Sequence, residues 1–299
     1  MTVSGNVSGI FNINKPSGLT SHDVVNRVRQ LVGTRKVGHA GTLDPMATGV
    51  LLVCVGQATR LIEYIMAGSK TYRATICFGL TTDTYDKDGQ VIANADPSAL
   101  TKETVTQALS KFVGEIDQTP PPFSAIKKEG VPLYKLARKG IMIQARPRRI
   151  RIEAINPIQW QLPEVVVDVI CQTGTYIRSL AHDAGQMLGV GAYLTRLIRL
   201  ASGNWSLDNA ISLEVLEQAV VENRLQSVLH AQEEAVVDMP GVQLSPAQAR
   251  AVRFGQSIDA VSTWNTSPVA GFDPSGKLVA ILSTEQAGFL KPKKVFSEL

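Results

Sequence analysis

Cysteine, histidine and long apolar runs are scarce in this sequence, and each scarcity argues against a class of protein. Only three of the 299 residues are cysteines, an odd number without the CxxC spacing of a metal site. We expect Cys54, Cys77 and Cys171 to be reduced core residues, because each lies in an apolar, strand-like stretch. The four histidines form no HExxH or HxH pair, which argues against a metal enzyme: His22, His39, His182 and His230.

Hydrophobic residues are plentiful but do not form a membrane span. The apolar run at residues 50–55 is much shorter than the roughly 20 residues that a spanning helix needs. The N-terminal stretch MTVSGNVSGIFNINKPSG has neither the basic start nor the apolar core of a signal peptide, so we expect a cytoplasmic protein. With 44% hydrophobic and 19% charged residues, the chain can bury the core of a main domain and a smaller second one.

Positive charge is concentrated in one segment, although the whole chain carries only +4. Between Lys127 and Arg151, nine basic residues stand against one acidic residue, Glu129. Such a segment beside a mildly acidic body favours binding of a phosphate backbone, since each neutralised phosphate releases counterions. A solvated surface face is the alternative interpretation. We call the nine residues the basic strip: Lys127, Lys128, Lys135, Arg138, Lys139, Arg146, Arg148, Arg149 and Arg151.

The hydrophobic periodicity predicts strands and helices without the regular alternation of a doubly wound sheet, and therefore the α+β class. Strands are predicted in GIFNINK, GVLLVCV, KTYRATICF and EVVVDVIC. Helices are predicted in SHDVVNRVRQLV with Ser21 as N-cap, in TKETVTQALSKFVGEI with Thr101 as cap, and in SLEVLEQAVVENRLQSVL, which begins at Ser212. A glycine turn joins the strand EVVVDVIC to a further helix that includes RSLAHDAGQML.

A change in composition near residues 232–241 predicts a domain boundary between a main domain at residues 1–235 and a small module at residues 240–299. The module contains a predicted helix, SPAQARAVRF, with Ser245 as cap and Pro246 at its first position. A hairpin turned by DPSG follows. About 60 residues are close to the size at which an independent core becomes marginal, so we expect the module to lean on the main domain.

The stretch GHAGTLDPMATGVLL, residues 38–52, places one carboxylate, Asp44, in a glycine-rich loop. A phosphate-cradling loop does not explain it, because the GK[ST] ending is missing and an aspartate would repel the anion. A purely structural turn is an open alternative. Pro45 disfavours helical geometry at Asp44, and Gly41 and Gly49 accept unusual dihedral angles.

The same stretch resembles, without a gap, the catalytic motif of the TruB family of tRNA pseudouridine synthases. The tail LSPAQARAVRFGQ is similar to the opening of the PUA module, a small RNA-binding barrel. The resemblance implies a catalytic domain with a mixed, mainly antiparallel central sheet flanked by helices, and a C-terminal PUA-like β-barrel. Other blocks resemble the family in the family's order: NKPSGLTSHDVV, KTYRATICFG, TPPPFSAIKKEGVPLYKLARKG, TGTYIRSLAHDAG and YLTRLIRLASG.

The resemblance implies isomerisation of uridine 55 in the T-loop of tRNA: the bond from N1 to the sugar breaks, the uracil rotates while held, and C5 joins the same carbon. Asp44 matches the family's catalytic aspartate, an anionic nucleophile or base. Arg178 matches the arginine that would hold this carboxylate ionised and aimed. Tyr72 matches the tyrosine that stacks on the base and is a candidate for moving the C5 proton. Whether Asp44 attacks the sugar or the ring, or first takes a sugar proton, stays open.

Five further residues match family positions around the substrate. His39 corresponds to a histidine that reaches into the T-loop when the nucleotide is extruded and leaves a gap in its stack. Tyr176 and Leu197 correspond to residues that line the uridine pocket, and Arg199 is a further substrate-binding candidate beside them. Lys15 corresponds to a lysine that supports the active-site loop.

The resemblance also bears on partners. It places the basic strip in an insertion at about residues 120–152 that closes over the T-arm of tRNA and positions it by phosphate contacts. This intact insertion favours an enzyme that works without a guide RNA or a protein partner, and we expect a monomer that uses no cofactor. A guide-dependent synthase within a ribonucleoprotein is the alternative.

Two other functions agree less well with the sequence than catalysis by Asp44. A non-catalytic RNA-binding protein with this fold is disfavoured by the joint presence of Asp44, Tyr72 and Arg178. A glycoside hydrolase would need a second carboxylate at matched spacing, and none accompanies Asp44 in these blocks.

Overall fold

The computed structural model describes residues 7–259 and 267–296, apart from residues 125, 129, 138, 142, 144 and 287. Two residues of the sequence argument, Glu129 and Arg138 of the strip segment, therefore lie outside the described residues. The helices are α1 Ser21–Val32, α2 Ile62–Ala67, α3 Lys102–Ser110, α4 Leu133–Ala137, α5 Ile177–Met187, α6 Leu213–Val221 and α7 Pro246–Arg253. The strands are β1 Gly9–Lys15, β2 Val37–His39, β3 Thr48–Val55, β4 Lys70–Phe78, β5 Leu80–Thr82, β6 Val91–Asn94, β7 Gly114–Gln118, β8 Lys127–Lys128, β9 Val131–Pro132, β10 Arg148–Gln161, β11 Glu164–Cys171, β12 Ala192–Ser202, β13 Trp205–Ser206, β14 Gly241–Gln243, β15 Ile258–Asp259, β16 Val269–Phe272, β17 Leu278–Gln286 and β18 Phe289–Val295.

A nine-stranded sheet forms the centre of the molecule, in the order β1-β3-β12-β4-β11-β10-β7, with β2 beside β3 and β13 beside β12. Its pairs are antiparallel except β3 with β12, which is parallel. The prediction of an α+β fold with a mixed, mainly antiparallel sheet is confirmed. The sheet brings β4 next to β12, and α5 packs on β12, so residues from distant parts of the chain meet at one place.

Strand β3 is apolar from Val50 to Val55 because both of its faces are buried there. Leu51 and Val53 point into the larger core, which also holds residues of α1, α3, α5 and α6. Leu52 and Cys54 point into a second core. Successive side chains of a strand alternate between faces, so a continuous apolar run is what a doubly covered strand requires.

The second core joins the central sheet to the C-terminal module, since Ala270, Ile281 and Phe296 of the module pack with Ile10 and Leu52 of the sheet. The module's own sheet has the order β14-β16-β17-β18-β15, and its hairpin β16–β17 is the one that the DPSG turn predicted. The expectation that the module leans on the main domain is thus confirmed. Among the described helices, none is long and apolar enough to cross a membrane.

Most helix caps agree with the sequence analysis, and one does not. The side chains of Thr101, Ser212 and Ser245 cap α3, α6 and α7 as predicted. The prediction that Ser21 caps α1 was wrong. Thr20 is the N-cap, and its hydroxyl and the Asp23 carboxylate form a reciprocal capping box. Both residues are cap formers, and periodicity does not distinguish adjacent candidates.

Two predicted helices are too long. Helix α3 ends at Ser110, and the GEI that was included in it belongs to β7, where it pairs with β10. Helix α6 ends at Val221. Of the three cysteines, all of which are free thiols, Cys54 and Cys171 are buried as expected, whereas Cys77 is only half-buried.

Candidate active site

Asp44 lies in the loop between β2 and β3, and this loop is tied to the start of α1. The buried ammonium of Lys15 donates hydrogen bonds to the carbonyl oxygens of Pro16 at 2.8 Å, Leu19 at 2.6 Å and Pro45 at 3.2 Å. The three N–H donors of the ammonium are matched by these three backbone acceptors. Lys15 therefore joins the end of β1 to Pro45, the residue after Asp44. Burial lowers the pKa of Lys15 to about 8, although the charge of Asp44 opposes this.

Ser21 anchors the same loop from the first residue of α1. Its hydroxyl donates to the Leu43 carbonyl oxygen at 3.1 Å and accepts from the Leu43 N–H at 2.8 Å. The backbone next to Asp44 is therefore held on both sides. Gly49 lets β3 lie close to the backbone of β12, since its φ is +100° and a Cβ there would lie 2.2 Å from the carbonyl oxygen of Arg199.

Arg178, in the first turn of α5, forms a two-pronged ion pair with Asp44. Its Nε lies 2.9 Å from Oδ2 and its Nη2 lies 3.0 Å from Oδ1. The arginine side chain is 5% exposed and the aspartate side chain 31% exposed, so the carboxylate faces open space from a buried support. A bidentate pair of this kind fixes the plane of the carboxylate as well as its charge.

The remaining donors of Arg178 are also occupied. Nη1 donates to the Thr84 carbonyl oxygen at 3.0 Å and lies 3.4 Å from Oδ2 of Asp86, and Nη2 donates to the Phe123 carbonyl oxygen at 3.0 Å. Asp86 is buried, and burial raises its pKa against the opposing effects of Thr84 and Arg178. Sequence reasoning missed Asp86, because TDTYDKDG shows the composition of an ordinary polar turn.

A cavity of about 260 Å³ opens beside the ion pair and brings together most of the predicted site residues. Asp44, Tyr72, Tyr176, Arg178, Leu197 and Arg199 all line it. Its volume is near the lower end of small-molecule pockets, about 300 Å³, so it suits a ligand of nucleobase size. Burial raises the pKa of Tyr72, partly offset by Arg199, so its phenol is protonated at neutral pH.

Arg199 forms the floor beneath this cavity and is almost completely buried. Its Nε donates to the Val50 carbonyl oxygen at 2.6 Å and its Nη2 to the Gly41 carbonyl oxygen at 3.1 Å. In the pairing of β12 with β4, Arg199 lies opposite Tyr72. One guanidinium thus links β12 to β3 and to the Asp44 loop, a structural role that the sequence does not indicate.

Tyr176 immediately precedes α5 and is fixed through its backbone. Gln118, at the end of β7, accepts from the Tyr176 N–H at 2.8 Å and donates to its carbonyl oxygen at 3.0 Å. Burial raises the pKa of the Tyr176 phenol. Leu197 is 5% exposed and supplies an apolar wall.

His39 does not line this cavity but a second one of about 600 Å³, which shares Asp44 and Arg178 with the first. It is half-buried, and its Nδ1 is buried without a hydrogen-bond partner among the described residues. Burial, followed by the charge of Arg199, lowers the pKa of His39, so the ring is neutral at pH 7. Lys15 lines neither cavity and acts through its contacts with the loop.

The C-terminal end of the basic strip is exposed. Arg146, Arg148, Arg149 and Arg151 lie on or just before β10, and Arg149 forms an ion pair with Glu115 of β7. The described ranges contain no group of three His, Cys, Asp or Glu side chains that could hold a metal ion.

Three family models match the chain. The model of the TruB family pseudouridylate synthase N-terminal domain matches residues 29–177. The models of the tRNA pseudouridylate synthase B C-terminal domain and of the tRNA pseudouridine synthase II C-terminal region match residues 178–237 and 239–297.

Relatives match over most of their length. A protein named tRNA pseudouridine synthase B from Syntrophotalea carbinolica is 45% identical over 249 residues, which are 83% of this chain and 81% of that protein. One of the same name from Dehalococcoides mccartyi (strain ATCC BAA-2100) is 41% identical over 290 residues, 97% of each chain. Among solved structures, a Cbf5–Nop10–Gar1 complex contains a chain with a TM-score of 0.75 and 26% identity, matched over 97% of this chain and 85% of that one. The chain therefore belongs to the TruB family of pseudouridylate synthases.

Proposed function

We propose that this member of the pseudouridylate synthase family isomerises uridine 55 in the T-loop of tRNA to pseudouridine, without a guide RNA, a protein partner or a cofactor. The observation that carries the proposal is the Asp44 carboxylate, held by two hydrogen bonds from Arg178 at 2.9 and 3.0 Å where two cavities meet. Asp44 is the nucleophile or base of the reaction, and Arg178 aims it.

The smaller cavity takes the uracil. Tyr72 offers its ring for stacking, which is worth roughly 1 to 3 kcal/mol per base, and Leu197 closes the apolar side. A base that is detached from its sugar during the reaction has to be retained while it turns, and an enclosed, ring-lined space provides this. The phenol of Tyr72 is protonated at neutral pH, so it moves the C5 proton by relay: its oxygen accepts that proton while its own hydroxyl proton passes to a base, for which the Asp44 carboxylate in the same cavity is the candidate.

The larger cavity takes the nucleotides around the target. A uridine in a folded loop reaches Asp44 only after leaving its stack, which costs a few kcal/mol. His39, neutral at pH 7, faces this cavity and fills the gap that the uridine leaves.

The exposed arginines at the start of β10 contact phosphates of the T-arm, and the pocket reads the flipped base. The division into a catalytic domain at residues 1–235, with the insertion at about 120–152, and an RNA-binding PUA-like module at residues 240–299 is part of this proposal. A cytoplasmic location, where tRNA is modified, is also part of it.

Independence from a guide RNA is supported by the relatives. A protein named tRNA pseudouridine synthase B matches this chain at 41% identity over 97% of both lengths, whereas a chain of the Cbf5–Nop10–Gar1 complex matches at 26%. We therefore expect the purified chain, as a monomer, to act on a bare T-arm hairpin.

The test is tritium release from a T-arm hairpin that carries 5-tritiated uridine at position 55, with purified protein and no other macromolecule. Release in proportion to pseudouridine formed would support the proposal. A hairpin with uridine 55 replaced by cytidine, and labelled uridines elsewhere, is the matched control and should release none. If the bare hairpin is inert while addition of a guide RNA restores release, the guide-dependent alternative is correct.

A further inference from the structure

Two aromatic rings stack outside both cavities. The rings of Tyr85 and His182 have centroids 3.7 Å apart and planes inclined by 9°. Neither residue is among the described residues that line the cavity of the uracil or the larger cavity beside it. The stack therefore has no direct access to a substrate bound at Asp44.

Both rings are nevertheless tied closely to Arg178. His182 follows Arg178 by four residues on α5, one helical turn further along the same face. Tyr85 stands between the two residues that occupy Nη1 of Arg178, namely Thr84 with its carbonyl oxygen at 3.0 Å and Asp86 with Oδ2 at 3.4 Å. The stack joins the segment of residues 84–86 to the helix that carries the arginine.

The backbone of this segment is held in an unfavourable conformation. Tyr85 has a φ of +63°, the left-handed region that few residues other than glycine, asparagine and aspartate adopt readily. Its carbonyl oxygen accepts from the Leu194 N–H at 3.1 Å, and its N–H donates to the Thr82 carbonyl oxygen at 3.3 Å. This turn presents the acceptor oxygens of Thr84 and Asp86 to Nη1 of Arg178. The ring stack offsets part of the conformational free energy that the left-handed backbone costs.

We propose that the Tyr85–His182 stack is a positioning device that clamps residues 84–86 against α5, so that Thr84 and Asp86 occupy Nη1 of Arg178 and leave Nε and Nη2 to aim Asp44. Tyr85 and His182 are positioning residues in this scheme, and the effect on turnover rests on the proposed function. The alternative is a stack that contributes only to folding stability.

Three variants separate the ring from the backbone. Tyr85→Phe keeps both the stack and the left-handed backbone of an aromatic residue. Tyr85→Asn removes the ring, while asparagine tolerates the left-handed conformation, so backbone strain is not increased. His182→Ala removes the partner ring, and alanine has a higher helix propensity than histidine, so α5 is not weakened. This variant replaces Tyr85→Asn in the test if Tyr85→Asn does not fold.

The first measurement is the single-turnover rate on the tritiated T-arm hairpin at saturating enzyme, together with the Kd of the hairpin. We expect Tyr85→Phe to remain within twofold of the wild type. Tyr85→Asn and His182→Ala should each slow the reaction tenfold or more with the Kd changed less than twofold. The double variant should be no slower than the slower single variant, because the two rings act as one unit. A purely stabilising stack would lower the melting temperature and leave the rate of the folded protein at the wild-type value.

The second measurement does not depend on activity. In a protein with ¹⁵N-labelled arginine, the Nε–H resonance of Arg178 is identified by its loss in Arg178→Lys. We expect this resonance to exchange faster with solvent in Tyr85→Asn and to be unchanged in Tyr85→Phe. An unchanged resonance in Tyr85→Asn, or a turnover rate within twofold of the wild type, would overturn the proposal. If the wild type itself releases no tritium, the proposed function fails, and the Nε–H measurement still decides whether the stack positions Arg178.

Discussion

Arg178 is shared by two carboxylates: its Nε and Nη2 bind Asp44, while its Nη1 lies 3.4 Å from Oδ2 of Asp86. The side chain of Asp86 is 8% exposed and that of Asp44 is 31% exposed, so the buried carboxylate supports the cation and the accessible one is free to meet a substrate. The arrangement explains why one arginine can hold an aspartate in place without enclosing it.

Arg178→Lys should therefore impair both stability and turnover. A lysine ammonium cannot reproduce the planar fork, and it leaves acceptors of Thr84, Asp86 and Phe123 without their donors. We expect the free energy of unfolding to fall by about 3 kcal/mol and the turnover rate to fall at least about a hundredfold.

The control is Arg27→Lys, which alters an exposed ion pair with Glu217. This change should cost less than about 0.5 kcal/mol and leave turnover unchanged. Chemical denaturation and single-turnover kinetics measure the two quantities, and an Arg178→Lys protein with wild-type turnover would contradict the assigned role.

Tyr72→Phe should separate the stacking of the Tyr72 ring from the chemistry of its hydroxyl. The ring is retained, so the Kd of the T-arm hairpin should change less than about threefold, whereas loss of the hydroxyl should slow turnover by about a hundredfold or more. Tyr72→Ala should additionally weaken binding by about 1 to 3 kcal/mol. Turnover of Tyr72→Phe near the wild-type rate would restrict this residue to stacking.

Lys15 should make stability depend on pH in the alkaline range. Burial lowers its pKa from 10.5 to about 8, so between these values the folded chain has released a proton that the unfolded chain still binds. Stability rises with pH wherever the unfolded state binds more protons, by up to about 3 kcal/mol for a shift of this size.

Lys15→Met removes this contribution. We expect the difference in unfolding free energy between the wild type and Lys15→Met to increase in favour of the wild type from pH 8 to pH 10.5, and to be level below pH 7. Comparison of the two proteins cancels the other lysines. A difference that stays flat across the whole range would refute the assignment.

The basic strip should appear in the salt dependence of RNA binding. Replacing Arg146, Arg148 and Arg151 by glutamine removes up to three phosphate contacts, so the slope of log K against log salt concentration should become shallower by about 2 to 3. Arg149 is left in place because it pairs with Glu115. Arg27→Gln, outside the strip, is the control. A triple variant with the wild-type slope would assign the strip to a solvated surface.

Much of the site followed from the sequence because its residues lie in contiguous motifs. Asp44, Tyr72, Tyr176, Arg178, Leu197 and Arg199 line one cavity, as expected of a pocket, although their catalytic and binding roles stay predictions. The strands were recognised because short runs rich in β-branched and aromatic residues, bounded by turn residues, favour strands.

What the sequence did not reveal depends on long-range contacts. Asp86 is joined to Arg178 across 92 positions of the chain, and nothing local in TDTYDKDG marks it. Ser21 resembles a helix cap, yet Thr20 takes that role and frees the Ser21 hydroxyl to bind Leu43. The end of α3 was misplaced because GEI continues a helical pattern until the pairing of β7 with β10 overrides it.

The central claim is that the Asp44 carboxylate performs the chemistry, and Asp44→Asn on the tritiated T-arm hairpin tests it most directly. Asparagine keeps the size of the side chain and one of its two oxygens, so the Kd of the hairpin should change less than about threefold. We expect Asp44→Asn to release no detectable tritium and to form no detectable pseudouridine in the time that the wild type needs to complete its reaction. Substantial product formation by Asp44→Asn, with Kd unchanged, would contradict the account.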